Sequence, residues 1–175
     1  LLQAINTSRT ALQQSSPFAA AGEQGHGTSG RLAFVLDMRG PCMSINTACS
    51  SGLVALHSGA SAVRAAECMR ALVAGAKLIL LPYAVGGGVL AADGRSKTFD
   101  ARADGYGRSE AVAAVAIDTS RGTPVLLCGS GVQAGGRGAS LTAPNGLAQR
   151  TLIEQVVKRI GMEPAEVGCV QPQGL

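Results

Sequence analysis

The sequence predicts an α/β fold, a sheet covered by helices, and three observations carry the prediction. Of the 175 residues 46% are hydrophobic and only 3% aromatic, with 24 glycines, a small-residue composition that lets helices pack closely on sheets. Residues 42–48 read as a short strand, and residues 50–71 as a long Ala-rich helix with Leu53, Leu56, Ala60, Val63 and Cys68 roughly on one side. Residues 72–81 are a nearly continuous apolar run, the pattern of a strand covered on both faces. Strand, helix and strand in that order give βαβ character, and the length suits one globular unit with ample material for a core.

The remaining elements follow in chain order. Residues 1–30 are polar and small, with a short helix expected over residues 1–12 and loop thereafter. Residues 31–36 are an apolar run that ends in the turn residues Asp37-Met38-Arg39-Gly40-Pro41. Beyond the central strand come a Gly86-Gly87-Gly88 loop and a polar stretch over residues 93–100. Two more apolar runs, 111–117 and 124–132, read as adjacent strands of a hairpin turning at 118–123. After Pro144-Asn145-Gly146 a second amphipathic helix is expected, with Leu152, Ile153, Val156, Val157 and Ile160 at helical spacing and Gly161 as its stop. Residues 167–170 read as a last strand. A chain that opens on Leu1 and stops just past a strand reads as an internal piece of a longer protein.

Lys and Arg number 15 against 11 Asp and Glu, a net charge of +4. The basic residues are scattered, without a run and without aromatics to stack on bases, which argues against nucleic-acid binding. An acidic protein partner fits the balance better, although the simplest role of such Arg side chains is to solvate the surface. The cysteines Cys42, Cys49, Cys68, Cys128 and Cys169 are odd in number and lack a C-x-x-C pair or matching His spacing, so neither a disulfide framework nor a zinc site is expected. A reducing compartment, and hence the cytoplasm, is the expected setting. No apolar stretch free of charge and turn residues is long enough to span a bilayer.

Asn46-Thr47-Ala48-Cys49-Ser50-Ser51-Gly52 places one of these cysteines at the passage from the predicted strand into the predicted helix. There the free N–H groups and dipole of the helix favour a thiolate, the nucleophilic form. The small Ala48, Ser50 and Gly52 leave room for a substrate carbonyl and for backbone donors to its oxyanion. The plain alternative is a small buried hydrophobe, and the other four cysteines lack this setting.

Gly40-Pro41 followed by Asn46-Thr47-Ala48-Cys49-Ser50-Ser51 resembles the G-P…D-T-A-C-S-S nucleophile motif of β-ketoacyl synthases, with the match continuing through Leu53-Val54-Ala55-Leu56-His57. Residues 93–106 resemble the family's D-G-R-C-K-x-F-D-x-x-A-D-G-Y, and Leu141-Thr142-Ala143-Pro144-Asn145-Gly146 its L-T-A-P-N-G loop. Three motifs in order are far more specific than one, and their flavour is that of type I polyketide synthases. Thiolases and chalcone synthases share a Cys nucleophile but not this combination. The resemblance runs from about Gly30 to the end and is weaker before it. It implies a thiolase-like fold of α-β-α-β-α layers, incomplete here, holding the later part of the first half and, from about residue 93, the early part of the second. It implies a homodimer in the intact protein and acyl carrier protein as partner. Cys49 would accept an acyl group from a phosphopantetheine thioester, and a malonyl-derived carbanion would then attack it in a decarboxylative Claisen condensation. No cofactor or metal bound directly to the protein is implied, since phosphopantetheine belongs to the carrier. Thr142 would lie near the pantetheine tunnel.

The sequence departs from the pattern in places. Val170-Gln171-Pro172-Gln173-Gly174-Leu175 stands where the family has V-E-A-H-G-T, which puts Gln173 at a histidine position used in decarboxylation. A neutral amide donates hydrogen bonds but does not titrate as imidazole does. The loop over residues 82–93 is shorter than in most relatives and lacks the Phe that often lines it. A module that binds or loads acyl chains as a scaffold without condensing them is therefore the alternative reading. His57 lies eight residues from Cys49 along the predicted helix, about 12 Å of rise, which is too far for a dyad and makes it a packing residue. His26 reads as solvated, Arg108 and Glu110 as a structural pair or cap, and Gly86-Gly87-Gly88 lacks the context of a dinucleotide site.

Overall fold

The computed structural model describes residues 27–79, 89–120, 122–140 and 143–173. The expected short helix over residues 1–12, His26, the Gly86-Gly87-Gly88 loop and Thr142 lie outside the described residues. Among the described residues there are three helices, α1 Gly27–Val35, α2 Ser51–Arg64 and α3 Gly146–Arg159, with strands β1 Arg70–Lys77 and β2 Ala111–Asp118 and short 3-10 turns at Ala48–Ser50 and Pro164–Glu166. The chain divides into two units, Leu1–Val73 with Ala116–Thr119, and Ala74–Val115 with Ser120–Leu175.

In the first unit α2 lies on the sheet through a glycine. A Cβ at Gly59 would stand 2.8 Å from Val73 Cγ2, 3.4 Å from Ala71 Cβ and 3.6 Å from Ile117 Cδ1. Ala71 and Val73 are half-buried between the exposed Arg70, Leu72 and Ala74, the alternation that a strand with one covered face shows. Ala60 and Val63 on α2 are buried with them. Ser29 at the start of α1 meets Ser44, Oγ to Oγ at 2.9 Å, and so ties that helix to the segment leading to Cys49.

β1 pairs with β2. Arg70 faces Asp118 at 3.8 Å, and beyond the other end the Ile79 N–H donates to the Glu110 carboxylate, so the strands run antiparallel. This corrects the hairpin expected between residues 111–117 and 124–132: β2 takes β1 as its neighbour, and residues 124–132 are not a strand. Residues 42–48 and 167–170 are likewise not strands among the described residues. A strand exists only where a neighbour takes up its N–H and C=O groups, and an apolar run does not specify which neighbour that is.

In the second unit α3 lies on residues 129–131, again through glycine. A Cβ at Gly131 would stand 2.7 Å from Val156 Cγ2 and 2.9 Å from Leu152 Cδ1, and one at Gly129 would collide with Ile160 Cγ2. The segment over residues 89–107 closes on itself, with Leu90 bridged to Tyr106 and the Ala91 N–H donating to the Tyr106 carbonyl at 3.1 Å. Ala91 is buried at this closure.

All three helices end alike. Past α1 the Met38 N–H donates to Ala33 O at 2.8 Å, past α2 Glu67 to Ala62 O at 3.0 Å, and past α3 Met162 to Val157 O at 3.3 Å. Each is the six-residue closure of a Schellman motif, with Asp37, Ala66 and Gly161 held at φ 47°, 58° and 69°. The stop expected at Gly161 is where α3 stops. α2 stops at Arg64 rather than near residue 71, because an alanine occupies the left-handed position and gives no glycine to read. α1 stands where loop was expected up to residue 30, since Gly27, Thr28, Ser29 and Gly30 are poor helix formers.

Candidate active site

Cys49 sits within the 3-10 turn Ala48–Ser50 that leads directly into α2, and it is exposed. The segment before it, residues 42–47, has no regular secondary structure. The approach to the turn is strained, because Ala48 holds φ +54°, a left-handed conformation that costs a residue with a Cβ on the order of 1–3 kcal/mol.

Side chains on both flanks hold this conformation. The Ala48 N–H donates to Asn46 Oδ1 at 3.1 Å. Ser51 Oγ accepts the Thr47 N–H at 2.8 Å and donates to the Ala48 carbonyl at 2.7 Å. Ser50 Oγ lies 2.8 Å from Thr47 O and 2.9 Å from Thr47 Oγ1. Ser50 is the N-cap of α2, yet its side chain makes no capping bond. The N–H groups opening α2 therefore lack the usual side-chain acceptor. A helix N-terminus in that state favours negative charge placed beside it, whether a thiolate or the oxyanion of a carbonyl under attack. Asn46 and Ser51 are not singled out by the sequence reading, and Ser50 only as a small neighbour; the signal is present, since Asn and Ser flanking a turn bond to nearby backbone groups.

His57 is half-buried on α2, as a packing residue would be. Gln173 is exposed in an irregular segment after residues 167–170, and it belongs to the other unit from Cys49. Thr142 lies outside the described residues, but its neighbour Asn145 is well placed. Asn145 Oδ1 accepts the Ala148 N–H at 3.1 Å as the N-cap of α3, while Nδ2 donates to Gly135 O at 2.8 Å and to Arg137 O at 3.4 Å. A shallow cleft of ≈ 380 Å³ lies here, lined by Gln133, Gly135, Ala143, Pro144, Asn145 and Gln149 among others.

The charged motif over residues 93–106 pairs with itself. Lys97 Nζ donates to Asp93 Oδ1 at 3.1 Å and also to Asp104 Oδ1. Arg102 grips Asp100 through two bonds of 3.0 and 2.7 Å. Hydrogen bonding to Lys97 holds the Asp93 and Asp104 carboxyls below the ordinary carboxylate range, and the bond from Arg102 does the same for Asp100. Lys97, bonded first to Asp104 and then to Asp93, is raised above an ordinary ammonium. These residues brace the segment rather than hold a group ready to titrate. Glu110, through the Ile79 N–H, supports the end of β1, which is a structural role. The five cysteines are free. No group of metal-ligating residues is found among the described residues, nor is any helix there long and apolar enough to cross a membrane.

The geometry at Cys49, an exposed cysteine in a strained turn that opens a helix, stands on a chain whose relatives the comparisons identify. The profile "Beta-ketoacyl synthase, N-terminal domain" matches residues 3–121, and "Beta-ketoacyl synthase, C-terminal domain" matches residues 125–175. Polyketide synthase GfsB of Streptomyces halstedii is 41% identical over 168 residues, covering 90% of this chain and 3% of that protein. The highly reducing polyketide synthase ltbA of Aspergillus luteorubrus is 37% identical over 157 residues, 83% of this chain and 5% of its own length. Among solved structures, the ketosynthase from module 6 of the bacillaene synthase of Bacillus subtilis 168 superposes with a TM-score of 0.77 at 29% identity, over 82% of this chain and 28% of that one. The oxazolomycin ketosynthase domain OzmH KS7 of Streptomyces albus JA3453 gives 0.74 at 30% identity, over 83% and 28%. The chain thus spans a small part of the curated relatives and little more than a quarter of the solved ketosynthases. It belongs to the beta-ketoacyl synthase family, as ketosynthase sequence of the type I polyketide synthase kind with their thiolase-like fold.

Proposed function

We propose that this chain carries the acyl-accepting part of a ketosynthase that extends polyketide chains. The Cys49 thiolate attacks the carbonyl of an acyl-phosphopantetheine thioester presented by acyl carrier protein. The tetrahedral intermediate collapses, the pantetheine thiol leaves, and the acyl group stays on Sγ as a new thioester. In the second step malonyl on a carrier protein loses carbon dioxide, and the resulting carbanion attacks the acyl carbonyl. The C–C bond forms as the C–S bond breaks, which returns Cys49 as thiolate. The observation that carries this reading is an exposed Cys49 in the turn that opens α2, beside a helix N-terminus without a side-chain cap. Thr142, three residues before Asn145 in the sequence, contacts the pantetheine arm. The whole chain belongs to one ketosynthase domain, working as a homodimer in the cytoplasm.

Gln173 supports a second reading, a module that loads or binds acyl chains without condensing them, because an amide at that position cannot serve as the imidazole does in the decarboxylating step. One experiment separates the two. The full-length protein is incubated with an acyl-pantetheine thioester and weighed by intact-mass spectrometry, then supplied with malonyl-carrier. Acyl transfer that depends on Cys49 is expected, and Cys49→Ser abolishes it. Gln173→His raises condensation by on the order of a hundredfold while leaving acylation nearly unchanged. Absence of acylation removes the first reading. Brisk condensation with Gln173 in place removes the second.

A further inference from the structure

We infer that Asn46 and Ser51 are positioning residues that fix Ala48 in its left-handed conformation and thereby set the direction in which Cys49 leaves the turn. The inference rests on the reading of Cys49 as the acyl acceptor. The backbone N–H and the carbonyl of the strained residue are each bonded by one of these two side chains. The Ala48 N–H goes to Asn46 Oδ1 at 3.1 Å, and the Ala48 carbonyl to the Ser51 hydroxyl at 2.7 Å. The same hydroxyl receives the Thr47 N–H at 2.8 Å, so one oxygen links the Asn46–Thr47 and Ala48–Cys49 peptide groups. Without them Ala48 loses the side-chain bonds that oppose its return from φ +54° to the right-handed region, where a Cβ is at ease.

That return rotates the following peptide and with it the Cys49 side chain. The nucleophile would then sit away from the N–H groups that open α2. None of the three bonds involves a charged group. The position of Asn46 needs an acceptor oxygen on a short side chain, and an aspartate supplies one equally well.

The test uses the full-length protein. The rate of iodoacetamide alkylation at Cys49 is followed by peptide mass spectrometry, with Cys128, exposed in the other unit, as the internal standard. Asn46→Ala and Ser51→Ala each slow Cys49 by roughly tenfold, as a displaced reacting group does, and leave Cys128 unchanged. Asn46→Asp and Ser51→Thr, which keep the acceptor or the hydroxyl, stay within about twofold of the starting protein. Ala48→Gly placed on Asn46→Ala restores the rate, because glycine adopts positive φ without a brace; it also serves where Asn46→Ala alone fails to fold. Unchanged Cys49 rates in the two alanine variants would overturn the inference, as would equal slowing of Cys128 or failure of Ala48→Gly to rescue. If Cys49 of the unaltered protein takes no acyl group from a thioester, the acyl-acceptor reading falls, yet the alkylation comparison still decides whether Asn46 and Ser51 position it.

Discussion

Helices α2 and α3 have the same length, Ser51–Arg64 and Gly146–Arg159, and the same way of docking and ending, but opposite beginnings. Asn145 caps α3 with its Oδ1 and ties the cap to Gly135 and Arg137 with its Nδ2. Ser50 leaves α2 uncapped and turns its hydroxyl back toward Thr47. A side-chain cap stabilises a helix start, whereas a start without one leaves the helix dipole unmatched by a side chain and favours negative charge beside it. The difference separates a helix that serves the framework from one whose first turn serves the cysteine before it.

The strongest way to break the likeness in docking is to add a methyl group where each helix touches its support. Gly129→Ala would force Cβ into Ile160 Cγ2, and Gly131→Ala would set it 2.7 Å from Val156 and 2.9 Å from Leu152. β-branched side chains hold their rotamers stiffly and give way little. A loss of roughly 2–3 kcal/mol is expected for either, from overpacking. Gly59→Ala on α2 meets Val73 Cγ2 at 2.8 Å, but here the glycine is within the helix, and alanine returns about 1 kcal/mol of helix propensity. Its net cost is therefore smaller, about 1 kcal/mol. Urea unfolding of the three variants checks the order, and a Gly59→Ala that costs more than Gly131→Ala would contradict it.

The contrast at the helix starts gives the next largest effect. Asn145→Ala removes the cap and both tethers and should weaken α3 by about 1–2 kcal/mol. Ser50→Ala removes no cap from α2 and should change the stability of that helix by less than about 0.5 kcal/mol. Amide hydrogen exchange resolved along the two helices reads both. Equal acceleration of the two first turns would mean that Ser50 caps α2 after all.

How much of this was legible depended on whether the signal was local. α3 was readable at both ends, since Asn145 and Gly161 announce a start and a stop, and the Val156, Val157 and Ile160 face repeats at helical spacing. The place of Cys49 was readable for the same reason, as a cysteine among small residues at the head of an Ala-rich helix. Strand pairing was not. Residues 111–118 and 124–132 are close in sequence and similar in character, yet β2 pairs with β1, because pairing depends on non-local geometry that neither run encodes alone. The brace around Ala48 was half legible: Asn46 and Ser51 are turn-forming types, but nothing in their order says that both would grip one alanine.

The smallest effect concerns the helix ends, and there the two helices can be made alike. Ala66 and Gly161 occupy the same position of the same closing motif, at φ 58° and 69°. The Glu67 and Met162 N–H groups that follow them reach back to Ala62 O and Val157 O. Glycine takes this conformation freely, while alanine carries its Cβ into a region that disfavours it by on the order of 1 kcal/mol. Glycine also has more freedom to lose from the unfolded chain, which offsets part of the gain. Ala66→Gly should therefore stabilise the end of α2 by about 0.5 kcal/mol, and Gly161→Ala should destabilise the end of α3 by about the same amount. Hydrogen exchange at Glu67 and Met162 measures each closure directly. Slower exchange at Glu67 in Ala66→Gly, with Met162 unaffected, is the expected result. Faster exchange there would mean that the methyl group of Ala66 makes a contact worth more than the strain it imposes.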